Sequence, residues 1–402
     1  MKIAHVLRRI SFADWGGTEQ VVWNLAKAQA REGHAVRIFA TDALCKVPRE
    51  EREGLEIVRF PCIYPWWPMP RRVADALDRK GGNPFVPGLG KALRGWKPDV
   101  IHCHAMGRIA ELCIRTAEAT GAKSVISLHG GAANVPVAEA TELRAPTRHR
   151  LPWGKLAETA LRWKRRVPEG ADGIVCVGED EAEHWKKRHP RVLWLPNGVD
   201  VVRFGGQSSA VDCSRLQSNG KPFRVLCVAR IDRQKDQMAL VEALGRNPSM
   251  HLCLVGPVTQ PDYKAELEAR ARDLGAAERL AFAGPYPADS AELAAEYRAA
   301  DAFALASRHE PFGIAVLEAW AAGVPVAAST AGGLGRLLEA HPGAALPFAP
   351  GDAAGLDAGL LRIATDAEWR ASAVAAGQAA AREYGWGSLA EKLGAFYGSL
   401  RK

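Results

Sequence analysis

The chain has 402 residues, 48% of them hydrophobic and 24% charged, which is the balance of a soluble globular protein with room for two or three domains. No run of about 18 apolar residues is present, so no spanning helix is expected. The net charge of +8 is uneven: residues 1–200 carry 32 Lys and Arg against 23 Asp and Glu, the remainder 21 against 22. A basic first half suits an anionic acceptor or an anionic membrane surface; nothing resembles a nucleic-acid module, so nucleic acid is not expected as a partner.

In chain order, residues 2–7 (KIAHVL) read as a strand ending in charge, without the longer apolar core of a signal peptide. Gly16 and Gly17 form the first βα turn, where backbone without a side chain can approach a phosphate or sugar. The spacing is not GxGxxG, so a dinucleotide fingerprint is not supported. A helix is predicted from about Thr18 to Glu32, followed by strands at AVRIFA, LEIVRF, DVIHCH, SVISLHG, GIVCVG and VLWLPN. Between them, the Pro-rich run Tyr64-Pro65-Trp66-Trp67-Pro68-Met69-Pro70-Arg71-Arg72 is expected to expose rings beside charge. It makes Trp66, Trp67 and Arg71 candidates for acceptor contact.

Alternation puts His102 and His104 on one side of their strand and Cys103 on the other. Two histidines do not make a metal site, and spacing indicates no third ligand, so no metal is expected. His129 ends the next strand. Residues 144–166 contain Trp153, Trp163 and the run Arg162-Trp163-Lys164-Arg165-Arg166, a pattern that suits a membrane interface as well as a surface helix with half-buried Trp. Glu179-Asp180-Glu181 opens a predicted helix, where acidic residues favour the dipole. The eight cysteines include no CxxC pair and several sit in apolar strands, as buried residues of a reducing cytoplasm would. Asn197, in a Pro-Asn-Gly turn, leads towards a polar linker at 205–221.

The second half restarts the pattern with FRVLCVAR, HLCLVGP, RLAFAGPY, DAFALAS, VPVAAS and AALPFA. Strands alternating with helices predict an α/β protein of two Rossmann-like domains with parallel sheets facing a cleft, 1–200 and 201–385. Arg230 and Lys235 follow the first strand of the second domain, where two cations could neutralise a leaving diphosphate. Lys235 is expected at the surface of the cleft. Gly256 and Pro257 end the next strand. Residues 301–307 read as a buried strand, Pro311 and Gly313 break the chain, and Ile314 to Ala322 read as a helix stopped by Gly323. The helix start at Ile314 faces the carboxyl end of the sheet, a place suited to phosphate. Glu310 lies on the loop and Glu318 about a turn into the helix. At the end of the chain, Leu389, Leu393, Phe396, Tyr397 and Leu400 line one stripe of an amphipathic helix over 388–400.

Glu310-Pro311-Phe312-Gly313 followed by Glu318 and by Ala319-Trp320-Ala321-Ala322-Gly323-Val324-Pro325-Val326 resembles the donor-site signature of retaining family 4 glycosyltransferases with the GT-B fold. The resemblance extends over nearly the whole chain. It implies transfer of a sugar from a nucleotide-diphosphate sugar, as co-substrate, to a glycan or lipid-linked acceptor, with retention and with no cofactor or metal. It implies a diphosphate clamp at Arg230 and Lys235, a sugar-orienting role for Glu310 and a ribose contact for Glu318. It also implies a sugar contact for His104 and a donor-facing Gly16-Gly17 loop. Asn197, Gly256, Pro257, Pro311, Phe312, Gly313 and Ile314 would line the donor site, and His129 the cleft. The end helix, 386–402, would pack back on the first domain, and the enzyme would work in the cytoplasm or at the inner face of a membrane. Two departures stand out: Asp236 where the family often has Gly after the Lys, and Leu334-Gly335-Arg336 where a Glu is common. A GT-B sugar-nucleotide epimerase and a non-catalytic nucleotide-sugar-binding protein are the other readings. The first needs no acceptor site; the second would be expected to lose Arg230, Lys235 or Glu310.

Overall fold

The computed structural model describes residues 1–12, 17–80, 82–129, 147, 150–160, 166–205, 222–287 and 290–401. It divides into two units, Met1–Pro196 with Leu389–Lys402, and Asn197–Ser388. Gly16, Trp163 and most of the polar linker lie outside the described residues.

The first unit is built on strands β1 (Lys2–Leu7), β2 (Ala35–Thr41), β3 (Arg49–Arg52), β4 (Leu55–Phe60), β5 (Val100–Cys103), β6 (Lys123–Leu128), β7 (Gly173–Cys176) and β8 (Val192–Trp194). Their order in the sheet is β3-β4-β2-β1-β5-β6-β7-β8. All pair in parallel except β3, which runs antiparallel to β4. Strand β3 reads Arg-Glu-Glu-Arg and has no apolar face to announce it. It exists because the two-residue turn Glu53-Gly54, with φ of 49° and 76°, folds it back as a charged edge. The parallel strands are nearly continuous runs of Val, Ile, Leu, Ala and Cys because helices cover both faces.

The end helix starts at Trp386, two residues earlier than its amphipathic stripe predicts, and runs to Leu400. Leu389, Leu393, Tyr397 and Leu400 are buried. Phe396 packs on Gly173 of β7, where a Cβ would stand 2.7 Å from the ring.

The second unit holds β9 (Phe223–Val228), β10 (Met250–Val255), β11 (Leu280–Ala283), β12 (Ala302–Leu305), β13 (Val326–Ser329) and β14 (Ala345–Phe348), in the order β11-β10-β9-β12-β13-β14, all parallel. Each sheet therefore reverses direction beside one strand, β1 in the first and β9 in the second. In open α/β sheets the crevice for a ligand opens at that reversal, beyond the carboxyl ends of the two strands that flank it. No helix among the described residues is long and apolar enough to cross a membrane.

The loop expected to display its rings does so only in part. Tyr64 is buried, its hydroxyl donating to Asp78 at 2.7 Å, and it packs with Val73 and Leu77. Trp66 is half-buried, while Trp67, Arg71 and Arg72 are exposed.

Candidate functional site

In the second unit the two strands flanking the reversal are β9 and β12, and the predicted donor-site residues follow them. After β9 the chain makes a short 3-10 turn, Arg233–Lys235. The buried Asp232 carboxylate accepts from the Gln234 backbone N–H at 3.0 Å and lies 3.2 Å from the Arg230 guanidinium. Lys235 Nζ donates to Glu310 Oε2 at 2.7 Å, across 75 residues of sequence. The two side chains are only 12% and 14% exposed, so Lys235 is not the surface cation that its loop position predicts. Its carboxylate partner draws it under the loop after β12. Arg230, by contrast, is about half exposed.

Asp236, standing where the family often has Gly, takes the left-handed conformation at φ 48° and ψ 42°. Its carboxylate accepts from Arg308 Nε at 2.9 Å, and the Arg308 backbone N–H donates to the Gln234 carbonyl at 2.8 Å. The loop after β9 and the loop after β12 are thereby tied at three points. Gly313 caps the helix Ile314–Ala321 at φ 95°, a conformation few other residues adopt. Pro311 and Ile314 are exposed and Phe312 is half-buried. Gly332 and Gly333 lie directly behind this loop: a Cβ on Gly333 would collide with the Pro311 carbonyl oxygen. Gly256 and Pro257 follow the neighbouring β10, and the Pro257 carbonyl accepts from the Ile231 N–H at 2.9 Å.

Glu318 is buried inside that helix, 7% exposed. One carboxylate oxygen accepts from the hydroxyl of the fully buried Tyr297 at 2.7 Å. Burial pushes the Glu318 pKa up to about 7, against the opposing pull of the Tyr297 hydrogen bond and the Arg203 charge. Asn197 stands at the start of the second unit, half-buried.

In the first unit the reversal lies between β1 and β5. A cavity of about 680 Å³ opens there, lined by Arg8, Arg9, Gly17, Thr18, Glu19, Asn83, His104 and Gly107 among others. Arg9 pairs with the buried Glu19 at 2.9 Å. Behind the cavity the parallel register sets His5 opposite His102. His5 therefore supplies the third imidazole that spacing does not reveal: ligand atoms of His5, His102 and His104 lie within 4.8 Å of one another. All three are buried. Their nitrogens are committed to each other and to neighbours. His5 Nδ1 meets His104 Nε2 at 2.9 Å, and His5 Nε2 meets Gln29 Oε1 at 2.7 Å. His104 Nδ1 meets His129 Nε2 at 3.0 Å. His102 bonds the Tyr397 hydroxyl at 2.5 Å and Ser127 Oγ at 2.7 Å. Both ring nitrogens of His104 are thus taken, and a direct sugar contact through them, as the resemblance implies, would require one of these bonds to break. His129, half-buried, is the outermost ring of the series.

Asp232, Arg308, Tyr297, His5 and Gln29 escape a reading of the sequence, and Asp236 is marked there only as a departure from the family pattern. For His5 a signal exists: a polar residue centred in an apolar strand. Tyr297 and Gln29 lie on helices with nothing local to mark them.

Residues 15–203 match the family model described as Glycosyltransferase Family 4, and residues 212–380 match Glycosyl transferases group 1, together most of the chain. The D-inositol 3-phosphate glycosyltransferase of Xylanimonas cellulosilytica is 28% identical over 97% of this chain and 93% of its own. Glycogen synthase of Mycobacterium tuberculosis is 28% identical over 76% of this chain and 69% of its own. Among solved structures, Anabaena HepE in complex with UDP superposes with a TM-score of 0.68 at 20% identity, covering 99% of this chain and 100% of its own. Sucrose-phosphate synthase of Thermosynechococcus elongatus gives 0.66 at 21%, covering 100% and 99%. With two Rossmann-like parallel sheets and both family models matched in order, the chain belongs to the family 4 glycosyltransferases of the GT-B fold.

Proposed function

We propose that this glycosyltransferase works with retention, taking a nucleotide-diphosphate sugar on its second domain and a glycan or lipid-linked acceptor on its first. The observation that carries the reading is the Lys235–Glu310 pair, 2.7 Å, on the loops that follow β9 and β12 at the reversal of the second sheet. The pair fixes one cation and one carboxylate where a sugar diphosphate needs both. Lys235 and Arg230 offset the charge that grows on the leaving diphosphate. Glu310, held by Lys235, orients the sugar hydroxyls. Glu318 accepts hydrogen bonds from the ribose. The acceptor hydroxyl attacks the anomeric carbon from the face the diphosphate leaves. The new C–O bond forms as the C–O bond to phosphate breaks, and a diphosphate oxygen takes the acceptor's proton. The two cations supply the counter-charge, so the scheme calls on no metal.

The cavity at the first sheet's reversal favours transfer over epimerisation, which has no acceptor to house. Relatives named for inositol phosphate and for glycogen support transfer without choosing an acceptor. HepE, solved with UDP and UDP-glucose, makes uridine donors the first to try. The first domain also exposes apolar side chains on segments that carry basic residues. Trp67, Leu151 and Leu156 are 68%, 52% and 56% exposed, and Trp67 and Leu151 are joined by backbone hydrogen bonds of 3.0 and 2.9 Å. Arg71, Arg72 and Lys155 are exposed on the same segments. That combination supports docking on an anionic lipid surface at the inner face of a membrane. Retention is tested by NMR of the product: the anomeric coupling should match that of the donor sugar, and an inverted product would refute the scheme.

A further inference from the structure

The loops after β9 and β12 meet through two charge pairs that lie side by side. Lys235 Nζ donates to Glu310 Oε2 at 2.7 Å, and Arg308 Nε donates to Asp236 Oδ2 at 2.9 Å. Each loop thus offers one cation and one carboxylate, and the same four groups could pair differently. Arg308 stands two residues from Glu310, so their Cα atoms are at most about 7.6 Å apart, within the span of an arginine and a glutamate that reach for each other. A guanidinium matches a carboxylate with two parallel N–H donors, which an ammonium cannot do. Glu310 Oε1 makes no hydrogen bond among the described residues, so it is open to such a rival.

Asp236 holds that rival away. It stands at the N-cap of the helix Gln237–Arg246 in the left-handed conformation, φ 48°, which glycine adopts without strain. An aspartate at an N-cap ordinarily accepts from a backbone N–H of the first turn. The Asp236 side chain makes no such bond; its carboxylate, 10% exposed, goes to Arg308 instead. We propose that Asp236 is a positioning residue that sequesters Arg308, so that Glu310 Oε1 stays free to accept from a hydroxyl of the donor sugar. The role rests on the donor-site reading of Glu310 and adds to it what keeps that oxygen open. It has a consequence that a plain strap between the loops lacks: without Asp236, Arg308 is harmful. A strap would break equally on loss of either residue.

The test is isothermal titration calorimetry of the full chain and its variants with UDP, GDP and ADP and with their hexose forms. A diphosphate alone reads the base and phosphate contacts; its difference from the hexose form reads the sugar contact. Asp236→Gly should weaken the hexose form about fivefold, the scale of one partly exposed ion pair, and leave the diphosphate no weaker. Arg308→Met should cost less than Asp236→Gly, and added to it should recover most of the lost sugar affinity, with kcat/KM in the same order. Asp236→Asn tolerates the left-handed backbone and should repeat the effect in smaller measure, which covers failure of Asp236→Gly to fold. Equal weakening in Asp236→Gly, Arg308→Met and their combination would reveal a strap and overturn the proposal. So would an unchanged sugar contact in Asp236→Gly and Asp236→Asn. If Lys235→Met with Glu310→Gln binds the hexose form as the unsubstituted chain does, the donor site itself is misplaced; if it loses that affinity while the Asp236 variants keep theirs, only the role of Asp236 falls. No binding of any of these compounds to the unsubstituted chain overturns both.

Discussion

Glu318 carries a conflict that can be read as a pH dependence. Its pKa rises from 4.5 in the open chain to about 7 in the fold. The folded state therefore binds a proton that the unfolded state has lost between those values. The associated stability is fully present below 4.5 and is lost as pH rises through about 7, at a cost of about 3 kcal/mol above it. Glu318→Gln keeps the shape and an acceptor for Tyr297 but cannot ionise. It should match the unsubstituted protein in Tm near pH 5, exceed it at pH 8.5, and raise the donor KM at pH 8.5, where Glu318 is ionised. An unchanged donor KM would remove Glu318 from the ribose. Lys235 and Glu310 present the opposite case, since each is the other's partner in a place with little water. Losing one strands the other, and a single substitution there confounds folding with binding. The sequence marks both charges as chemically important but cannot show that they meet, because 75 residues separate them.

At the scale of elements, the loop 308–313 is held from two sides. Arg308 ties it forward to Asp236 and to the Gln234 carbonyl. Behind it, Gly332 and Gly333 leave just enough room for the backbone at Glu310 and Pro311. Gly333→Ala forces the loop off that support. It should cut kcat/KM by tenfold or more while unfolding remains a single cooperative transition, checked by steady-state kinetics beside a denaturant titration. Unaltered kinetics would mean that the loop position does not matter to transfer. Most strands are legible in the sequence because parallel strands covered on both faces must be apolar throughout. Strand β3 is not legible, since its stability comes from a turn and from pairing with β4. Asp236 shows a further gap. Left-handed backbone at a non-glycine residue depends on the tie to Arg308, a contact no local pattern encodes.

At the scale of the molecule, the two sheets each place chemistry at their reversal, and that much follows from strand order once the order is known. The strand–helix alternation predicts Rossmann-like units, but the imidazole series of the first unit depends on register, His5 against His102, which sequence does not state. The exposed, paired Trp67 and Leu151, on segments that also expose Arg71, Arg72, Lys155 and Leu156, predict sedimentation with anionic vesicles at low salt, weakened by added salt and by Trp67→Ala. Equal binding to neutral vesicles, or none to either, would remove the membrane from the account. The most direct measurement is a thermal-shift panel of UDP, GDP and ADP with their hexose forms. It should be run on the unsubstituted chain and on the double variant Lys235→Met with Glu310→Gln, which removes the pair without leaving a lone charge. One nucleoside diphosphate and its sugar should raise the Tm of the unsubstituted chain and leave the double variant unmoved. No shift from any donor, or the same shift in both proteins, would contradict a donor site built on that pair.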